Sequence, residues 1–149
     1  MTRYLLDTNI ISEAVKPRPS EALTAWLDGR NDGSLFIASL SVAEIARGIL
    51  EQAEGRRRRA LEAWFAGPEG PQALFAGRIL PFDDRAALCW ARLMADGTAA
   101  GRPRSALDMI VAAVAEAHGC IVATANERHF RDVVEMVNPM RTADGDAAV

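Results

Sequence analysis

Short apolar runs alternate with amphipathic segments along this chain, and that alternation leaves few folds open. Arg3–Leu6, Ser34–Ala38, Arg78–Phe82, Cys120–Ala123 and Val133–Val137 are the length of buried strands. Between them lie segments of helical period. Thr8–Val15 is a short one, broken by Lys16-Pro17-Arg18-Pro19. Ser20 caps the next, which carries Leu23, Trp26 and Leu27 on one face and ends near Gly29. Ser41 opens a helix with Val42, Ile45, Ile49 and Leu50 as its apolar side, and Arg56–Phe65 makes another. After a loop at Gly67–Pro71, Asp83-Asp84 starts a helix through Met94, followed by a loop at Gly97–Pro103. Ser105–His118 is an alanine-rich helix closed by Gly119. Strands that alternate with helices predict an α/β fold: a mostly parallel sheet of about five strands with helices on both faces.

At 149 residues the chain is expected to form a single domain over 1–140, with 141–149 as a small, polar, flexible tail. No apolar run is long enough to span a membrane, and the N-terminus runs straight into a strand without signal-peptide anatomy. A cytoplasmic protein is the expectation. Cys89 and Cys120 lie in apolar contexts and read as buried reduced thiols. Zinc is disfavoured, since only His118 and His129 stand beside them as soft-metal ligands. A net charge of −3 argues against general coating of DNA, yet leaves room for a nucleic-acid enzyme whose acids surround a metal.

In parallel sheets function collects beyond the C-terminal strand ends. Asp7 ends the first apolar run, Glu44 and Asp108 stand near helix starts, and Asn126 follows the fourth strand. Carboxylates gathered there repel one another unless a cation sits among them, and a divalent metal with open water positions suits phosphate chemistry. Taken singly, each acid has a plainer reading. Ser41-Val-Ala-Glu44 fits a capping box, Ser105-Ala-Leu-Asp108 resembles one, and an Asp after a strand is often a cap. Asp108 adds weight, because an acid on a nearly all-apolar helix is costly to bury unless paired, by a metal or by Arg102 or Arg104. Other Asp-based folds fail. A haloacid-dehalogenase-type phosphatase needs a second Asp where Asn9 stands, and a receiver domain needs a late-strand lysine where this chain has only Lys16. No phosphate-binding glycine loop or nucleophile elbow is present.

Leu6-Asp7-Thr8-Asn9, Ala43-Glu44-Ile45-Ala46-Arg47-Gly48-Ile49, Ala106-Leu107-Asp108-Met109-Ile110-Val111-Ala112-Ala113, Thr124-Ala125-Asn126 and Val137-Asn138-Pro139 occur in that order. Together they resemble the PIN-domain ribonucleases, specifically the VapC-type toxins of toxin–antitoxin systems. The stretch Phe75–Asp83 is similar to the FitB-like subgroup. The resemblance implies a PIN-like fold and hydrolysis of RNA phosphodiester bonds by metal-activated water, with Mg2+ or Mn2+ as cofactor. It implies Asp7, Glu44 and Asp108 as metal ligands and Asn126 as the fourth catalytic position, an amide where relatives also carry an acid. Thr8 and Thr124 match supporting hydroxyls, and Arg47 and His129 are candidates for substrate contact. It further implies a homodimer, a VapB-like antitoxin seated in a groove by Ile45, Ile49, Leu61 and Trp64, and operator DNA reached only through that antitoxin. The alternative is a catalytically weak binding protein that acts mainly within such a complex. The four consecutive arginines Arg56–Arg59 read as a solvated helix start, and Asp83 as an N-cap.

Overall fold

A computed structural model describes residues 1–141; the tail expected over 141–149 lies outside the described residues but for its first position. Five parallel strands form one sheet: β1 (Tyr4–Leu6), β2 (Leu35–Ala38), β3 (Ile79–Leu80), β4 (Ile121–Ala123) and β5 (Met136–Val137). Their spatial order is β3-β2-β1-β4-β5. The chain steps outward from β1 through β2 to β3, then crosses to the other side for β4 and β5. The boundary between β1 and β4 is therefore the switch point, where crossovers diverge and leave a crevice at the strand ends.

The helices are α1 (Thr8–Ala14), α2 (Glu21–Asp28), α3 (Ser39–Leu50), α4 (Arg56–Ala66), α5 (Pro71–Leu74), α6 (Asp84–Ala99), α7 (Ala106–His118) and α8 (Glu127–Phe130). Neighbouring strand residues face opposite ways, which splits the core in two. Leu5, Ala38 and Val122 join the inner faces of α6 and α7, while Leu6, Ile37 and Ala123 join Ile10, Ile11 and Leu23 of α1 and α2. On α7 Ala112, Ala113, Ala115 and Ala117 are all buried, and such small side chains let the helix lie close against β4 and α6. Among the described residues no helix is long and apolar enough to cross a membrane.

Several boundaries differ from the sequence reading. α3 begins at Ser39, two residues before the expected cap, with Ala38 extended (φ −88°, ψ 150°) and lending no side-chain cap bond. α6 runs through Gly97 to Ala99, because the following loop packs so tightly on Gly97 that a Cβ there would lie 2.9 Å from the Arg104 stem. Pro71 opens the one-turn helix α5 rather than ending a loop, as its missing N–H suits a first helical position. β5 is only Met136–Val137: the N–H groups of Val133 and Val134 turn back to the Phe130 carbonyl and cannot enter the ladder. Cys120 is buried and Cys89 only half-buried; both are free thiols. Asp83 caps α6, its carboxylate accepting from the Ala86 N–H at 2.9 Å, and Arg56–Arg59 opens α4 with Arg58 paired to Glu62 at 2.8 Å.

Candidate active site

Asp7 continues the β1–β4 ladder through its N–H, which donates to the Ala123 carbonyl at 2.9 Å. One residue later the chain turns into α1, so the side chain stands at the switch point. It is 6% exposed. Its Oδ1 accepts from the Thr8 N–H at 2.9 Å and so caps α1. Its Oδ2 accepts from the Thr124 hydroxyl at 2.9 Å and from the Asn9 amide at 3.1 Å. Asp7 therefore caps α1 and also stands at the C-terminal end of β1.

Burial holds the Asp7 carboxyl above its ordinary range, against the opposing bonds from Thr124 and Thr8, and the negative charges of Asp108 and Glu44 push the same way. The three acids thus share one electrostatic neighbourhood despite their distance along the chain. Among the described residues, the ion pairs of arginine and lysine all go to other acids.

Glu44 stands in the second turn of α3, not at its third position, because the helix starts earlier than Ser41. The expected capping box does not form. Ser41 is instead fully buried and lies 3.1 Å from the Thr8 hydroxyl, which also lies 2.9 Å from Glu44 Oε1. Thr8 has one hydroxyl proton; the shorter contact assigns it to Glu44, and Ser41 then donates to Thr8.

Asp108 is the third residue of α7, where the Ser105 hydroxyl accepts from its N–H at 3.3 Å. With the helix end capped by serine, its carboxylate is free to meet His129 Nδ1 at 2.5 Å. The same nitrogen lies 2.9 Å from the Asn126 amide. It cannot donate and accept at once, and the shorter contact gives the proton to the bond with Asp108. Asn126 itself is anchored by its N–H, which donates to Thr124 Oγ1 at 2.9 Å.

Thr8, Thr124, Asn126 and His129 therefore all enter the hydrogen-bonded rim. Arg47 does not: it is exposed and paired to Glu51 at 2.7 Å, one turn from Glu44. Two further residues belong to the rim. Asn9 bridges both loops, donating to Asp7 and to Thr124 Oγ1 at 3.2 Å while its Oδ1 accepts from the Ala125 N–H at 3.0 Å. Ser41 is the other. An amide directly before Ile10-Ile11, both buried, was the available signal for Asn9.

The model of the PIN domain family matches residues 4–135. This chain is a member of the PIN-domain family. It is 36% identical to the VapC ribonuclease Y4jK of Sinorhizobium fredii over 140 residues, 93% of this chain and 99% of that protein. It is also 36% identical to Toxin FitB of Neisseria gonorrhoeae over 126 residues, 85% of this chain and 89% of that one. A solved structure of FitAB bound to a DNA fragment superposes with a TM-score of 0.84 at 34% identity, covering 93% of this chain and 96% of that chain.

The three carboxylates offer only oxygen donors, the hard type that suits Mg2+ or Mn2+, with the His129 ring nitrogen beside them as the one softer group. Among the described residues no three acids or other ligating side chains form a ready-made metal cage. Each carboxylate is oriented by its own donor: Asp7 by Thr8, Asn9 and Thr124, Glu44 by Thr8, and Asp108 by His129. Burial, and to a lesser degree the charges of Asp108 and Glu44, disfavour the ionised form of Asp7, and a cation at this rim would offset both.

Proposed function

We propose that this PIN domain is a Mg2+-dependent endoribonuclease and the toxin half of a type II toxin–antitoxin pair. The observation that carries the reading is a nearly buried acid at the switch point, oriented by Thr8, Asn9 and Thr124, with no arginine or lysine in an ion pair with it, Glu44 or Asp108 among the described residues, where His129 alone meets Asp108. The names of the two relatives, a VapC ribonuclease and a FitB toxin, point the same way.

Asp7, Glu44 and Asp108 would hold the cation, with Mn2+ as a substitute. Bound there, such a cation would supply Lewis-acid polarisation of a phosphate and a lowered pKa for its water. The chain's own residues do the rest. Thr124 and Asn9 fix the Asp7 carboxylate, and Thr8 fixes Glu44. His129 and Asn126 form a polar edge beside Asp108, where a ribose or phosphate oxygen would be oriented. A protein nucleophile is not required by this chemistry. Asp7→Asn should abolish RNA cleavage and leave the far-UV spectrum and cooperative unfolding in place, and chelator should silence the wild type until Mg2+ or Mn2+ is restored. Cleavage by purified Asp7→Asn, or cleavage in excess chelator, would refute the assignment.

A cavity of about 290 Å3 between α1, α3 and α4 is lined by Ile11, Val15, Ile45, Ile49, Leu61 and Trp64, and reaches Thr8 and Glu44 at the rim. We assign it to a VapB-like antitoxin, whose apolar segment would cover the groove and end over the acids. The antitoxin, not this chain, would contact operator DNA, and the toxin would pair as a homodimer. This groove is also what favours the second reading, a mainly binding role in such a complex. Metal-dependent cleavage by antitoxin-free protein decides for the enzyme.

A further inference from the structure

We propose that a basic cleft beside the acidic rim binds the RNA phosphodiester backbone on one side of the scissile bond; this rests on the ribonuclease reading above. The cleft has a volume of about 460 Å3 and lies between the loop after α6 and the turn of α8. Arg102, Arg104, Arg128 and Arg131 line it, and Asp132 is the one carboxylate in its wall. A chain of net charge −3 has thus collected four guanidinium groups in one hollow. Single-stranded backbone binding calls for such a positively charged groove.

Its position joins it to the candidate active site. His129, whose Nδ1 lies 2.5 Å from Asp108, is a wall of the cleft, and so is Ser105, the cap of the helix that carries Asp108. A strand lying along the arginines would pass directly to the acids.

The cleft is also built rather than a chance gathering of surface arginines. Gly97 gives the loop its seat: its carbonyl accepts from the Arg102 N–H at 2.9 Å, and the Arg104 stem occupies the space a Cβ would need. Arg104 then donates to the Leu93 carbonyl at 2.7 Å, and Gly101 supplies the left-handed turn (φ 71°) between them. On the opposite wall the Arg131 N–H is fixed to the Glu127 carbonyl at 2.8 Å. Glu127 is taken by Arg141 at 2.6 Å and lies 3.9 Å from Arg131. Among the described residues Arg102 and Arg128 make no ion pair, so their forks remain available for phosphate.

The test uses a labelled single-stranded RNA and the Asp7→Asn protein, with and without Arg102→Gln plus Arg128→Gln. Binding is followed by fluorescence anisotropy across a salt series. Losing two phosphate contacts should flatten the slope of log K against log salt by about 1.4 and weaken binding about tenfold or more. Arg57→Gln, on the arginine run of α4, should leave the slope where it was. An unchanged slope in the double variant overturns the proposal, as does a slope that moves only with Arg57, or a cleft that takes an acidic peptide while RNA binding ignores its arginines. Wild-type cleavage separates the two readings. RNA cut normally with an unchanged slope would sink the cleft alone, whereas a flattened slope in a protein that never cuts RNA would sink the nuclease alone.

Discussion

Thr124→Val is the sharpest test of how the rim is held together. Thr124 is fully buried, and valine matches its shape, so the substitution removes hydrogen bonds without opening a cavity. Its hydroxyl donates to Asp7 at 2.9 Å and accepts from the Asn126 N–H at 2.9 Å and from Asn9 at 3.2 Å. A bond to an ionised carboxylate contributes about 1.5–3 kcal/mol, and a half-buried N–H left without its acceptor costs on the order of 1 kcal/mol more. The total is about 2.5–4 kcal/mol, or roughly 5–16 °C in Tm for a domain of this size. Since the Thr124 bond lowers the Asp7 pKa, its loss should also move the acidic limb of the cleavage profile to higher pH. Thr124→Ser keeps the hydroxyl and loses one methyl, costing about 1 kcal/mol with the pH profile retained. The measurements are thermal unfolding of the metal-free protein and initial cleavage rates across pH. If valine leaves Tm and profile untouched, the hydroxyl is not holding the acid; if serine is as damaging as valine, packing rather than hydrogen bonding is the cause.

Two other perturbations follow from the same geometry. The Asp7 pKa is raised, first by burial and then by Asp108 and Glu44, so the folded protein takes up this proton at a higher pH than the unfolded chain. That contribution to stability is complete below the ordinary value of 3.8 and is lost as pH rises through the raised folded value. The metal-free wild type should therefore lose Tm relative to Asp7→Asn as pH rises from about 4 to about 7, and parallel curves would contradict the burial argument. Phe130 is fully buried at the end of α8, directly after His129. Phe130→Ala should cost about 3–5 kcal/mol in denaturant unfolding and release the turn that carries His129 and Asn126; a loss under 1 kcal/mol would show that α8 is held by something else.

The sheet was legible because its strands are apolar runs bounded by polar or glycine signals, and Leu5-Leu6, both buried, already declared a strand covered on two faces. Boundaries set by tertiary contacts were not legible. Ser41 looks like a cap in one dimension, and only the approach of Thr8 from another element shows why it is buried instead. Gly97 looks like a breaker until the Arg104 stem is seen to occupy the place of its missing Cβ. The same limit applies at the rim. Asp7 announces itself by ending a strand and Asp108 by opening a helix, and Thr8 by adjoining Asp7, whereas Glu44 stands in the second turn of α3 and Thr124 adjoins no acid. Asn9 cross-links the β1 and β4 loops, and that role depends on strand order, which no local pattern contains.

Strand order also explains why Asp7 is the most buried of the three acids. β1 is the central strand, so its end is walled by β2 and β4 and by the helices that follow them. An acid placed there is cut off from water on most sides, while Glu44 and Asp108 arrive on helices and keep more of their hydration. A buried carboxylate with three hydrogen-bond donors is well oriented but still penalised, since its charge is offset only by dipoles and is opposed by two like charges. A protein selected for stability alone would place an apolar residue or an amide at that position. Retaining the acid makes physical sense where a cation repays the burial, and the fold then gains stability on binding what it needs for chemistry. Mg2+ should accordingly raise the Tm of the wild type more than that of Asp7→Asn, and an equal rise in both would mean that the ion binds elsewhere.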